Sequence, residues 1–332
     1  MAMKLFQKAR VVSACIETPR VRKIVLEHAL RKTLQPFDPG AHITVALPDN
    51  IRRQYSLCGD PKDQSHYCLG VLLEDLSRGG SRAMHALRPG DTVFVSYPAN
   101  SFALCSDAEH HVFLAGGIGV TPILSMLFKL SSERASYEVH YGARSRTELG
   151  FLDTLEALCP ANGLHVYSED QPTAQRPDFQ KILNGLGARS HVYICGPAPM
   201  LAALRSAAND VGVPCQQIHT EQFAALAANE RRGEPFEMEV ADTGETLPVG
   251  ADQSALEVLR SAGYSIPSSC EGGICGECRI DLLGGAAIHR DRVLSDDERQ
   301  TSFISCISRA TGRISIQLPP QPKIIKKKEK SV

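Results

Sequence analysis

The chain has 332 residues, 43% of them hydrophobic and 22% charged, which allows two or three globular domains with substantial cores. A net charge of -1 gives no global electrostatic argument for nucleic acid or an acidic membrane as partner. No apolar run is long enough to span a bilayer, and the first residues lack the apolar segment of a secretory signal. Eleven cysteines without a disulfide-like spacing suit a reducing, cytoplasmic setting.

Residues 1–105 read as β-rich. Short apolar runs at 11–16, 42–47, 66–73 and 92–96 alternate with turn signals such as Asp38-Pro-Gly40, Gly59-Asp-Pro61 and Arg88-Pro-Gly-Asp91. That rhythm predicts an antiparallel sandwich or barrel. On an extended strand Arg53 and Tyr55 share one face, and Gln54 and Ser56 the other. An arginine for phosphate, an aromatic for stacking and a hydroxyl for a polar ring atom would make a cofactor site. The pattern by itself fits a plain half-buried strand better. Gly79, Gly80 and Ser81 open a helical run at 83–87 and offer amides and a hydroxyl to a phosphate, or simply make a turn.

Residues 108–223 alternate strand and helix. Strands are predicted at 111–115, 137–141, 164–167, 191–194 and 217–220, with helices at 123–130, 148–158, 179–183 and 200–211. Such alternation predicts a doubly wound parallel sheet with ligands at the carboxyl ends of its strands. Two strand ends carry glycine loops: Gly116, Gly117 and Gly119 with Thr121 and Pro122, and Cys195, Gly196 and Pro197. The first is not a G-x-G-x-x-G fingerprint, so a Rossmann assignment does not follow. Cys195 has no nucleophile context and reads as a small packing residue. His110 and His111 open a strand and are expected to be exposed, and the histidines show no metal-ligand spacing.

Residues 225–235 read as a linker. A small α+β unit follows over 236–320, with strands at 236–240 and 245–249 and a helix at 254–262 capped by Ser254. Asp296, Asp297 and Glu298 read as the acidic start of a short helix. Residues 321–332 form a basic, solvated tail. Within this unit Cys270, Cys275 and Cys278 stand as C-x4-C-x2-C, with Cys306 downstream. Four thiolates in that spacing hold a plant-type [2Fe–2S] cluster. Zinc usually takes two cysteine pairs and fits less well. Gly272, Gly273 and Gly276 supply the positive φ and close approach of a cluster loop.

The chain resembles the phthalate dioxygenase reductase family, which includes the reductases of vanillate demethylases and related ring-hydroxylating oxygenases. The resemblance rests on R-x-Y-S at Arg53–Ser56, G-G-S at Gly79–Ser81, G-G-x-G-x-T-P at Gly116–Pro122, C-G-P at Cys195–Pro197, E-x-F at Glu221 and Phe223, and the cluster cysteines. It implies an antiparallel flavin barrel over 1–105, an NAD(H)-binding α/β domain over 106–224 and a β-grasp ferredoxin domain over 236–320. It implies FMN, with FAD the alternative, held by Arg53, Gln54, Tyr55, Ser56, Leu72 and Gly79–Ser81. It implies NADH, with NADPH the alternative because Arg144 and Arg146 follow the second strand of the α/β domain. Tyr55, Ser56, Thr121 and Cys195 are then expected at the reacting edge. The function so implied is electron transfer from NADH through FMN and [2Fe–2S] to a terminal Rieske oxygenase, by a chain that is monomeric in isolation. Two other readings stay open: a reductase for a diiron or haem monooxygenase, and a ferredoxin-type carrier whose flavin part only docks.

Overall fold

The computed structural model describes residues 6–48, 51–75, 77, 79–170, 176–223 and 232–319. The chain divides into two compact units, 1–223 and 224–332. The first unit begins with six strands: β1 (Phe6–Thr18), β2 (Val21–His28), β3 (His42–Ala46), β4 (Arg52–Ser56), β5 (His66–Leu72) and β6 (Thr92–Ser96). They run in the order β4-β3-β6-β1-β2-β5, every pair antiparallel. An antiparallel bridge between Leu57 and Leu69 joins the two outer strands, so the sheet closes into a barrel. Ile24, Leu26, Ile43, Val45, Leu69 and Val71 fill it. The sequence pattern leaves β2 unassigned, because charged residues interrupt its apolar positions: the burial alternates only over Lys23–Glu27.

The same unit holds a parallel sheet of β7 (His110–Gly116), β8 (Ser136–Ala143), β9 (Leu164–Ser168), β10 (Ser190–Cys195) and β11 (Ile218–Glu221). Its order is β11-β10-β7-β8-β9. The chain therefore builds outward from β7 to β9, crosses back, and lays β10 and β11 on the other side of β7. Helices α2 (Val120–Glu133), α3 (Leu152–Leu158), α4 (Phe179–Asn184) and α5 (Ala198–Val211) make the crossovers. Val112, Leu114, Val192 and Ile194 pack with residues of α4 and α5 on one face. Phe113, Ala115, Val139, Tyr141 and Tyr193 pack with α2 on the other, and Val21, Cys58 and Phe102 of the barrel region join that same core. Polar ties reinforce it: Gly40 N donates to Ser125 Oγ at 2.9 Å and Phe151 N to Glu17 Oε1 at 2.6 Å.

Two expectations change here. His111 is buried, 4% exposed, because β7 is the central strand and its ring packs against those of Phe113 and Tyr193. The helix predicted from 148 begins at Leu152. Phe151 adopts a left-handed φ of 61° before it and packs its ring against the barrel strand β5, where a Cβ on Gly70 would meet it at 2.9 Å.

The second unit is a five-stranded sheet of β12 (Phe236–Val240), β13 (Glu245–Val249), β14 (Arg279–Ile288), β15 (Ser302–Ile304) and β16 (Arg309–Gln317), in the order β13-β12-β16-β14-β15. The central pair β12 and β16 is parallel and the other pairs are antiparallel, which with the helix Ala255–Ser261 makes a β-grasp. That helix starts in a capping box: Ser254 Oγ accepts from Glu257 N, and Glu257 Oε2 accepts from Ser254 N. Asp296–Arg299 is a short helix with the same device at Ser295. The predicted linker is described only over 232–235, and the basic tail lies outside the described residues. No helix among the described residues is long and apolar enough to cross a membrane.

Candidate functional site

The basic and glycine-rich segments of the barrel come together. Arg53 lies on β4, and its side chain runs directly over Gly80 at the start of α1 (Gly80–Ala86). A Cβ on Gly80 would lie 2.5 Å from Arg53 Cγ. Gly79 has φ +89°, and a Cβ there would meet Ile51 at 2.7 Å. Only glycine allows this approach. Ser81 is buried, donates to Ser77 Oγ at 2.9 Å and accepts from Glu74 N at 3.2 Å. Burial pushes the Tyr55 phenol well up from its ordinary value, so it stays neutral. Ser56 is 4% exposed, and its Oγ is buried without a hydrogen-bond partner. An orphaned hydroxyl beside an aromatic, an arginine and a glycine turn fits a flavin phosphate and the polar edge of its ring. Gln54 instead faces His42, 3.3 Å away, and Leu72 ends β5 opposite Val21.

The two glycine loops of the parallel sheet also meet. Gly117–Gly119 form a 3-10 turn after β7. A Cβ on Gly119 would lie 2.1 Å from Cys195 O, and one on Gly116 would lie 2.7 Å from Pro197 Cδ and 3.3 Å from Gly196 Cα. Contact this close exists because β7 and β10 are neighbours at the point where the strand order reverses, the place where open α/β sheets bind ligands. Thr121 donates its hydroxyl to Ile118 O at 2.9 Å, so it holds the turn, and its methyl abuts Gly70 of β5. Pro122 sits in the first turn of α2. Cys195 is fully buried and its thiol is pushed well up by burial and by Glu221. Glu221 stands beside Cys195 in register. Burial pushes its carboxyl up to about 8, and its Oε2 has no hydrogen-bond partner. Phe223, 40% exposed, follows.

In the second unit the four cysteines form two pairs, each with sulfur bonded to sulfur by hydrogen: Cys270 with Cys275, and Cys278 with Cys306. Cys275 and the amides of Gly272 and Cys275 hold the Cys270 thiol below its ordinary value. Cys306 holds Cys278 down in the same way. Two pairs of thiols, one member of each held toward thiolate and receiving amide donors, fit two irons. Gly273 and Gly276 have φ of 75° and 72°, and a Cβ on Gly273 would strike Ile307 at 2.8 Å.

Other residues that shape this loop were not legible in the sequence. Glu271, at φ 48°, accepts from Arg260 Nη1 at 3.0 Å and from Ser268 Oγ at 2.9 Å. Asp291 is 5% exposed and accepts from the amides of Val293 and Leu294, while Arg292 N donates to Gly273 O at 3.0 Å. Arg260 and Asp291 stand far from the cysteines in sequence, so no local pattern marks them.

Comparison with known proteins agrees with this geometry. Residues 238–311 match the 2Fe-2S iron-sulfur cluster binding domain family, and 96–218 match the N-terminal domain of the dimethylamine monooxygenase subunit DmmA-like family. The chain is 39% identical over 312 residues to the heme-dependent oxidative N-demethylase beta subunit of Ectopseudomonas mendocina, covering 93% of this chain and 98% of that one. It is 39% identical over 280 residues to a vanillate O-demethylase oxidoreductase of Pseudomonas sp., covering 83% and 88%. A solved phthalate dioxygenase reductase, described as modular for electron transfer from pyridine nucleotides to [2Fe–2S], superposes with a TM-score of 0.77 at 34% identity, covering 94% of this chain and 98% of that one. This chain therefore belongs to the family of flavin- and iron–sulfur-containing oxidoreductases that includes phthalate dioxygenase reductase and vanillate O-demethylase oxidoreductase.

Proposed function

We propose that this chain is the NADH-dependent reductase component of a multicomponent Rieske-type oxygenase, carrying electrons from NADH through FMN and a [2Fe–2S] cluster to the terminal component. The observation that carries it is the meeting of the Gly116–Gly119 and Cys195–Pro197 loops at the reversal point of the parallel sheet. The barrel site and the four-thiol set stand on the same chain. A bound flavin supplies the conversion between two-electron hydride chemistry and the one-electron chemistry of the cluster. Arg53 and the Gly79–Ser81 turn hold its phosphate, Tyr55 packs on its ring, and Ser56 Oγ satisfies a polar ring atom. The close-packed glycines admit the dinucleotide backbone, and Glu221 faces the nicotinamide amide as a neutral acid. Cys270, Cys275, Cys278 and Cys306 ligate the irons. The corresponding domains are 1–105, 106–224 and 236–320. The seven cysteines outside the cluster set form no disulfide, which supports a cytoplasmic setting.

The preference for NADH rests on Asp170, just beyond β9. Its carboxylate accepts from Ser145 Oγ at 2.8 Å and Arg146 N at 3.2 Å, and Ser145 holds it below its usual range. It places negative charge where a 2′-phosphate would approach Arg144 and Arg146. Anaerobic titration with each nucleotide, followed by cofactor extraction, tests this reading. NADH should bleach flavin and cluster bands together, with FMN extracted and kcat/KM at least about tenfold above that with NADPH. A tenfold preference for NADPH, or FAD in the extract, would overturn the respective assignment.

A haem-containing terminal component is the second reading. It is favoured by the N-demethylase relative, whose name states haem dependence and which matches over 98% of its length. Reduction rates with a purified Rieske oxygenase and a haem oxygenase separate the two.

A further inference from the structure

The parallel sheet carries a side-chain cluster that neither the dinucleotide loops nor the cysteines use. Glu138 and His140 are two residues apart on β8 and share one face. His165 on the edge strand β9 is directly opposite His140. By register these residues lie on the same face as Val112 and Leu114. The two imidazoles stack with centroids 4.6 Å apart. One donor atom from each of Glu138, His140 and His165 lies within 4.8 Å of the others.

A second, independent feature points to a ligand. His140 is 7% exposed, yet its Nε2 is buried without a hydrogen-bond partner. Glu138 Oε1, at 3.6 Å, is too far for one. The other ring nitrogen is engaged: His140 Nδ1 stands 2.9 Å from Tyr167 Oη. With the proton on Nδ1 donated to that oxygen, the Nε2 lone pair turns toward Glu138 and His165. This is how an outer partner orients a metal-ligating histidine.

We propose that Glu138, His140 and His165 form a Zn²⁺ site distinct from the cysteine cluster. Two imidazole nitrogens and one carboxylate oxygen are a zinc donor set, with a fourth position open to water. Calcium and magnesium prefer all-oxygen surroundings. Glu138 and His165 are both partly exposed, so the ion enters from solvent and the side chains close on it by rotation. Zinc here ties the edge strand β9 to β8.

The test is equilibrium dialysis of the flavin- and cluster-loaded protein against ⁶⁵Zn²⁺, with iron content followed so that cluster replacement is seen. One zinc per chain should be retained at micromolar concentration, with iron unchanged. Glu138→Gln and His165→Gln should each weaken retention by at least tenfold, and Tyr167→Phe by about tenfold. NADH–ferricyanide activity should persist in all three, which certifies folding, since none belongs to the flavin or nicotinamide sites. No retained zinc, zinc that displaces iron, or retention undiminished in both ligand variants would overturn the proposal.

Discussion

Arg53 gains its setting from a glycine. Its side chain lies over Gly80, which brings a fixed positive charge to the amides of a helix start. Arg53→Ala removes one charge-assisted phosphate contact, worth about 1.5–3 kcal/mol. The variant should lose flavin on extensive dialysis while the wild type retains it; full occupancy in the variant would count against the assignment. Glu221 makes a different prediction. Its folded value of about 8 lies above its ordinary 4.5, so the folded chain keeps a proton that the unfolded chain releases. Its contribution is complete below 4.5 and is lost as pH rises toward 8, by up to about 1.4 kcal/mol per pH unit. Chemical denaturation of nucleotide-free protein across that window should show this slope, and Glu221→Gln should flatten it. An identical slope in the variant would mean that Glu221 is ionised in the fold.

At the level of elements, the ferredoxin sheet depends on one buried cation. Arg309 opens β16 three residues after Cys306 and is 2% exposed. It donates to Gln253 O, to Glu234 O at 2.8 Å and to Gly250 O at 3.0 Å, and lies over the Phe236 ring at 4.9 Å. The planar fork ties three carbonyls that no lysine could serve together. Arg309→Ala leaves buried acceptors unpaired and should destabilise this unit by at least about 3 kcal/mol. The expected signature is cluster bleaching at a lower temperature with flavin release unchanged, and Arg309→Lys should not rescue it. Equal bleaching temperatures for wild type and Arg309→Ala would show the clamp to be idle.

On the scale of the whole chain, the division falls at 223/224 and not between barrel and parallel sheet. Those two share a core that includes Val21, Cys58, Phe102 and the α2 residues, so they should fold and fail together. The cluster-bearing unit has its own core, from Phe236 to Leu318. Cys275→Ser should therefore remove the cluster, because a hydroxyl is a poor substitute for a thiolate ligand, while flavin binding and NADH–ferricyanide activity persist. Reduction of cytochrome c or of an oxygenase partner should fall steeply. Loss of ferricyanide activity with flavin retained would place the cluster upstream of the flavin.

The Cys270–Cys278 spacing, the two glycine loops, the Arg53–Ser56 stretch and the strand–helix alternation were all readable along the chain, because each is a pattern along consecutive sequence and each residue type has a narrow physical use. So was the helix start at Ser254, where cap and partner are three residues apart. What the chain order could not reveal was adjacency. A period of two or of 3.6 reports which face is apolar, not which strand lies beside which. Strand order depends on crossovers packing against a common core, and only that order brings Gly116 against Gly196, puts Arg53 over Gly80 and buries His111 in the central strand. The same holds for Arg309, whose acceptors lie 56 to 75 residues away, and for Glu138, His140 and His165. Their spacing carries no ligand signature until β9 pairs with β8.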